Sequence, residues 1–88
     1  MTNKVNSTPL PKRLKAARKA ASMSQESLGI AAGLDEGTAS PRMSQYETSV
    51  HTPDFSFIRN VARVLNISTA YFYCEEDDLA QIILDYKK

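Results

Sequence analysis

The apolar residues of this 88-residue chain recur at three- and four-residue spacing in short segments, and each segment is closed by glycine, proline or capping residues. That period suits helices that each bury one stripe, and nothing in the chain alternates apolar and polar residues as a half-buried strand would. Leu10, Leu14, Ala17 and Ala21 line one face of a first helix in "TPLPKRLKAARKAA", with Thr8 as its cap and prolines in its first turn. "SQESLGIAAG" predicts a short second helix capped by Ser24, with Ser27 where the acidic partner of a capping box would stand, so the box is expected to be missing. Its apolar face is Leu28, Ala31 and Ala32, and Gly33 is placed to end it in a left-handed conformation.

A turn-rich stretch, "LDEGTAS", leads into a third helix predicted from about Pro41 to Thr48, with Ser40 as its cap. Met43, Tyr46 and Glu47 then face inward, and Arg42, Ser44 and Gln45 outward. Pro53 and Asp54 start a fourth helix with a buried set of Phe55, Ile58, Val61, Ala62 and Leu65. A short fifth helix, "STAYFY", follows Ile67. The aromatics there could stack on single-stranded bases, but their place beside Ile67 suits core and interface better. The last helix, in "EEDDLAQIILDYKK", has acids at its start and lysines at its end, as the helix dipole favours. The expectation is an all-α fold: a compact bundle of five short helices plus a C-terminal helix.

Composition narrows the function by exclusion. No apolar run reaches the roughly 20 residues of a bilayer span, and "MTNKVNSTPLPKRLK" has no apolar centre of a signal peptide, which implies a cytoplasmic protein without membrane contact. One cysteine and one histidine are too few for a zinc site, and no glycine-rich phosphate loop is present. Neither a cofactor, a metal nor an enzymatic activity is expected. Net charge is +1, but residues 1–50 carry +3 and residues 51–88 carry −2. The asymmetry is compatible with an anionic partner at the N-terminal half.

A second helix, a glycine, a polar loop and a third short helix resting on a longer first helix form a helix-turn-helix layout. In "R18…MSQESL…AG", "RMSQYE" and "P53…ARVLNIS", over roughly residues 12–72, the chain resembles the Xre/Cro and phage-repressor family. The resemblance implies a lambda-repressor-like fold and a regulator, most simply a repressor, that binds double-stranded DNA and reads the major groove with the helix around residues 40–48. It also answers a puzzle in the sequence, where "MSQ" occurs at residues 23–25 and again at 43–45. The flanking residues share no register, so this is no structural repeat. Ser24 and Gln25 open the second helix, where family members use a glutamine to hold a phosphate. Ser44 and Gln45 lie on the outer face of the third, where a carboxamide can pair with adenine N6 and N7.

Ser40 and Arg42 join Ser44 and Gln45 as candidate base contacts; Arg42 suits either a guanine or a phosphate. Thr48, Ser49, His51 and Thr52 join Ser24 and Gln25 as candidate phosphate contacts, with His51 otherwise an ordinary surface residue. The resemblance further implies an ion pair between Arg18 and Glu47, the alternative being two exposed charges on separate faces. Two departures from the family pattern stand out. The turn over residues 34–40 is about four residues too long, so it either extends the loop or lengthens the third helix, and Ser49 occupies a place often held by glycine.

The chain divides into a flexible tail (1–8), a helix-turn-helix domain (9–73) and a C-terminal helix (74–88). Leu79, Ile82, Ile83 and Tyr86 of that helix either cap the core or pair two copies into a homodimer, the assembly that a two-fold operator would need. A protein-binding module on the same fold, such as an antitoxin or phage adaptor gripping a partner protein through this helix, is the second reading.

Overall fold

In the computed structural model, residues 8–86 are described; of the expected tail only Thr8 is among them. They form α1 (Leu10–Ala20), α2 (Gln25–Ala31), α3 (Ala39–Glu47), α4 (Phe55–Leu65), α5 (Thr69–Tyr73) and α6 (Asp77–Asp85), with no strand among the described residues. The fold is all-helical. Among the described residues no helix is long and apolar enough to cross a membrane.

Leu14, Leu28, Met43, Ile58, Val61 and Phe72 are fully buried, so α1 to α5 each contribute to one core. Removing that apolar surface from water is the main stabilising term. On α4 the buried aromatic is Phe57, not Phe55, which is 53% exposed. Phe57, Ile58, Val61 and Ala62 share the inward face, and Phe55 falls outside that stripe at the helix start. Similarly, α2 buries Leu28 and Gly29, and Ala32 just after it is buried, but Ala31 is left in solvent.

Gly29 explains how the helix-turn-helix closes. A methyl group there would lie 3.0 Å from Met43 Cγ, 3.1 Å from Ala39 Cβ and 3.2 Å from Leu34 Cδ1. The absence of a side chain lets α2 and α3 approach closely.

The helix ends follow one pattern. In α1, α2, α3 and α4 the residue after the last turn has positive φ: Ser22 (58°), Gly33 (112°), Ser49 (69°) and Asn66 (58°). Each lets the following N–H turn back to a carbonyl in the last turn: Met23 to Arg18, Leu34 to Gly29, Val50 to Gln45 and Ile67 to Ala62. These are Schellman closures, for which glycine is the least strained residue. Ser49 therefore adopts the left-handed conformation instead of avoiding it. At Gly33 the Asn60 amide also donates to Ala32 O (3.0 Å), covering a carbonyl that α2 leaves open.

The N-termini bring three corrections. Pro9, not Thr8, occupies the cap position of α1, without a side-chain hydrogen bond. The capping box of α2 is present: Ser24 Oγ accepts from Ser27 N (2.9 Å) and Ser27 Oγ accepts from Ser24 N (3.1 Å). A serine hydroxyl supplies the acceptor usually provided by an acid. Lastly, α3 starts at Ala39 behind Thr38, so Ser40 and Pro41 lie inside its first turn. The proline costs no hydrogen bond there, because first-turn N–H groups have no helical partner. The long 34–40 segment is thus divided between a turn, in which Thr38 N donates to Asp35 O, and a lengthened α3.

At the other end, Arg13 is buried although the sequence offered no reason to place it inside. Its Nε and Nη2 donate to Cys74 O (3.1 and 2.9 Å), Nη2 meets Asp77 Oδ1 at 3.0 Å, and the guanidinium lies 5.6 Å from the centre of the Tyr71 ring. Lys12 and then Arg13 hold the exposed Asp77 carboxyl below the usual aspartate range. On α6, Ala80 is buried and Ile83 and Leu84 pack partly against the core, whereas Leu79, Ile82 and Tyr86 are 45%, 63% and 69% exposed. The stripe expected from the sequence is split, with Ile83 on the inward side.

Gly29→Ala should overpack the α2–α3 contact and cost about 1–3 kcal/mol. Urea unfolding checks this; an unchanged midpoint would mean that the two helices separate without penalty.

Candidate nucleic-acid interface

The face that carries the candidate readers is built from behind. Ala39, Met43 and Tyr46 of α3 are buried, and Tyr46 packs on Phe57 with ring centres 5.2 Å apart. A helix of nine residues is too short to persist alone, so its position comes from this packing and from one polar cluster.

In that cluster Arg18, on α1, donates through Nε to Glu47 Oε2 (2.7 Å) and through Nη2 to Glu47 Oε1 (3.1 Å). Its third nitrogen, Nη1, donates to Met23 O (2.9 Å) in the connection to α2. Gln25 completes the set, its Nε2 donating to Glu47 Oε1 at 3.1 Å. The side chains of Arg18 and Glu47 are only 12% and 3% exposed. A bidentate pair with its remaining positions satisfied is the arrangement in which a buried charge is tolerated. Glu47's hydrogen bond, against an opposing effect of burial, raises Arg18 above its ordinary value, so the guanidinium stays charged.

One carboxylate therefore joins the first three helices. Gln25 was singled out for an anion, yet one of its amide N–H groups is engaged inside the protein. Its link to Glu47 could not be inferred from positions 22 residues apart in sequence.

On the opposite side of α3, Ser40 and Arg42 are exposed, and Ser44 and Gln45 half-buried. Among the described residues neither Arg42 nor Gln45 makes a side-chain hydrogen bond, so both retain their polar groups for a ligand. Ser44 O accepts from Thr48 Oγ1 (2.8 Å), which commits the threonine hydroxyl proton to the helix end. Ser24 Oγ is similarly committed to capping α2. After α3, Ser49, His51 and Thr52 are exposed, and His51 N donates to Gln45 O at 3.2 Å. Arg42, Gln45, Tyr46, His51 and Thr52 together line an open cleft between α3 and this loop. The structure thus brings Ser40, Arg42, Ser44 and Gln45 onto one helix with His51 and Thr52 beside them. Gln25 reaches the same helix through Glu47. Among the described residues there is no cluster of three or more metal-ligating His, Cys, Asp or Glu side chains.

Glu47→Ala should leave a buried guanidinium without its partner and destabilise the fold by on the order of 3 kcal/mol. A urea or thermal melt measures this. A loss below about 1 kcal/mol, as at exposed pairs, would mean that the pair does not anchor α3.

No family model matches the chain, and no curated protein matches it. Among solved structures the chain is similar to the crystal structure of the transcriptional regulator BswR, with 49% sequence identity and a TM-score of 0.82. The match covers 86% of this chain and 75% of that one. At that identity and coverage the likeness extends beyond a shared helical arrangement, and the chain belongs to the family of the transcriptional regulator BswR.

Proposed function

We propose that the chain is a sequence-specific double-stranded DNA-binding regulator of the Xre/Cro type, acting in the cytoplasm as a repressor and reading the major groove with α3. The observation that carries this reading is the two-sidedness of α3. One side is buried and tied to α1 and α2 through Glu47; the other presents Arg42 and Gln45 without protein partners among the described residues. A rigidly held helix with free carboxamide and guanidinium groups suits base-edge recognition. Ser40, Arg42, Ser44 and Gln45 are the base contacts in this reading, and residues 9–73 form the DNA-binding unit.

Backbone phosphates are taken by Gln25 through its remaining amide N–H, and by the segment after α3, through Ser49, His51 and Thr52, while Thr48, whose hydroxyl and backbone N–H are both used on Ser44 O, holds the helix end behind them. Ser24 contributes by holding the first turn of α2, because its hydroxyl is used in the cap.

The regulator acts as a homodimer through residues 74–88. Leu79, Ile82 and Tyr86 are apolar or aromatic and turned to solvent, and large exposed apolar groups beside one another favour association. The same exposed side of α6 favours the second reading, a surface for a different protein partner, which is compatible with DNA binding.

Selection from randomised duplexes followed by footprinting tests the reading as a whole, the expected product being an inverted repeat with half-sites about 34 Å apart. Failure to enrich any sequence would reject sequence-specific binding. Gln45→Ala should weaken operator binding by roughly 1–3 kcal/mol with little effect on random duplex, whereas Gln25→Ala should weaken both by a similar factor. Equal losses for Gln45→Ala on both duplexes would remove it from the readers. Because Ile83 packs on the core, Ile82→Asp is the cleaner probe of assembly. It should give a folded monomer by light scattering with much weaker operator binding, and a folded protein that remains dimeric would place the interface elsewhere.

A further inference from the structure

We propose that DNA binding by this chain is proton-linked. On this view the cleft between α3 and the following loop takes one backbone phosphate, held jointly by Arg42 and by His51 in its imidazolium form. The inference rests on the DNA-binding reading above and adds a chemical condition to it.

His51 is exposed and borders two adjoining hollows. One is lined with Arg42, Gln45, Tyr46 and Thr52. The other runs towards the start of α1, where Thr8, Leu10 and Pro11 face it together with Ser49 and Pro53 of the loop. Among the described residues, the charged and titratable groups that line these hollows with the imidazole are therefore Arg42 and the Tyr46 phenol, both from α3. The facing residues of α1 and of the loop carry no charge. Among the described residues no carboxylate lines either hollow. Glu47, next along α3, is turned inward onto Arg18, and Asp54, beyond the loop, caps α4 through Phe57 N at 2.9 Å.

Arg42 and His51 thus border one cleft that, among the described residues, holds no carboxylate. A phosphodiester oxygen entering the cleft would supply an anion. It would favour the charged ring, both of whose nitrogens then donate. The backbone N–H of His51 is already used on Gln45 O, so the ring is the donor this residue has left. Uptake of a proton with the phosphate follows by linkage: affinity rises as pH falls, by at most about tenfold per pH unit, between the midpoint of the free ring and that of the bound ring.

His51 is the chain's only histidine, so its ring resonances can be followed directly by NMR. A pH titration should show its midpoint moving to higher pH when a random-sequence duplex is added. Duplex affinity measured at fixed ionic strength between about pH 8 and pH 5.5 should strengthen as pH falls. His51→Gln, which keeps a hydrogen-bond donor but cannot titrate, should flatten that dependence while remaining folded. An unmoved midpoint, or a His51→Gln protein with the wild-type pH dependence, overturns the proposal and leaves DNA binding itself intact. Linkage seen with operator but not with random duplex would assign His51 to a base and overturn the phosphate site. Absence of binding to any duplex at any pH would reject the DNA-binding reading, and this proposal with it.

Discussion

The carboxylate of Glu47 is the point on which the arrangement of α1, α2 and α3 depends. It accepts two hydrogen bonds from Arg18 and one from Gln25, while Arg18 also holds Met23 O in the connection to α2. Apolar packing alone is non-directional and would tolerate some sliding of a nine-residue helix over its neighbours. A bidentate guanidinium–carboxylate pair tolerates little, because both N–H···O bonds fail together when the helix rotates. Such a pair contributes less to net stability than its short distances suggest, since two charges must first leave water. Its effect here is geometric, fixing which side of α3 is presented.

A second guanidinium does comparable work at the opposite end of α1. Arg13 reaches across to Cys74 O and to Asp77, and lies beside the Tyr71 ring, so the connection from α5 to α6 is tied to α1. Arg13 and Arg18 thus make α1 the common support of the helix-turn-helix and of the C-terminal helix. The two ties differ in setting. Glu47 is shielded from solvent, whereas Asp77 is 76% exposed and shares its charge with Lys12, so the bonds to backbone carbonyls carry more of the second.

Local signals were most readable where a side chain interacts with its own helix. The period of three and four, Gly33 as a stop and Asp54 as a cap all act within a few residues, and each stands in the structure where that chemistry puts it. Readability failed where two residue types can do one job. Serine closes α1 and α3 in a conformation usually left to glycine, and Ser27 completes a capping box usually closed by an acid. It failed also where two phases of one stripe are equally apolar: Phe55 and Phe57 compete for the core, as do Ile82 and Ile83. Within the candidate site, the residues on one helix could be grouped from spacing alone. The engagement of Gln25 with Glu47 could not, since it joins α2 to the far end of α3.

By itself the sequence determined the helical class, the order of the helices and which side of α3 is polar, because these follow from short-range periodicity and capping. Tertiary structure alone decided that Gly29 faces Ala39 and Met43 with no room for a side chain, and that Arg13 is buried. It likewise decided that α6 turns Ala80 and Ile83 inward and Leu79, Ile82 and Tyr86 outward. Those outcomes depend on which surfaces of other helices arrive opposite each residue, and that information is distributed along the whole chain instead of lying in any one segment.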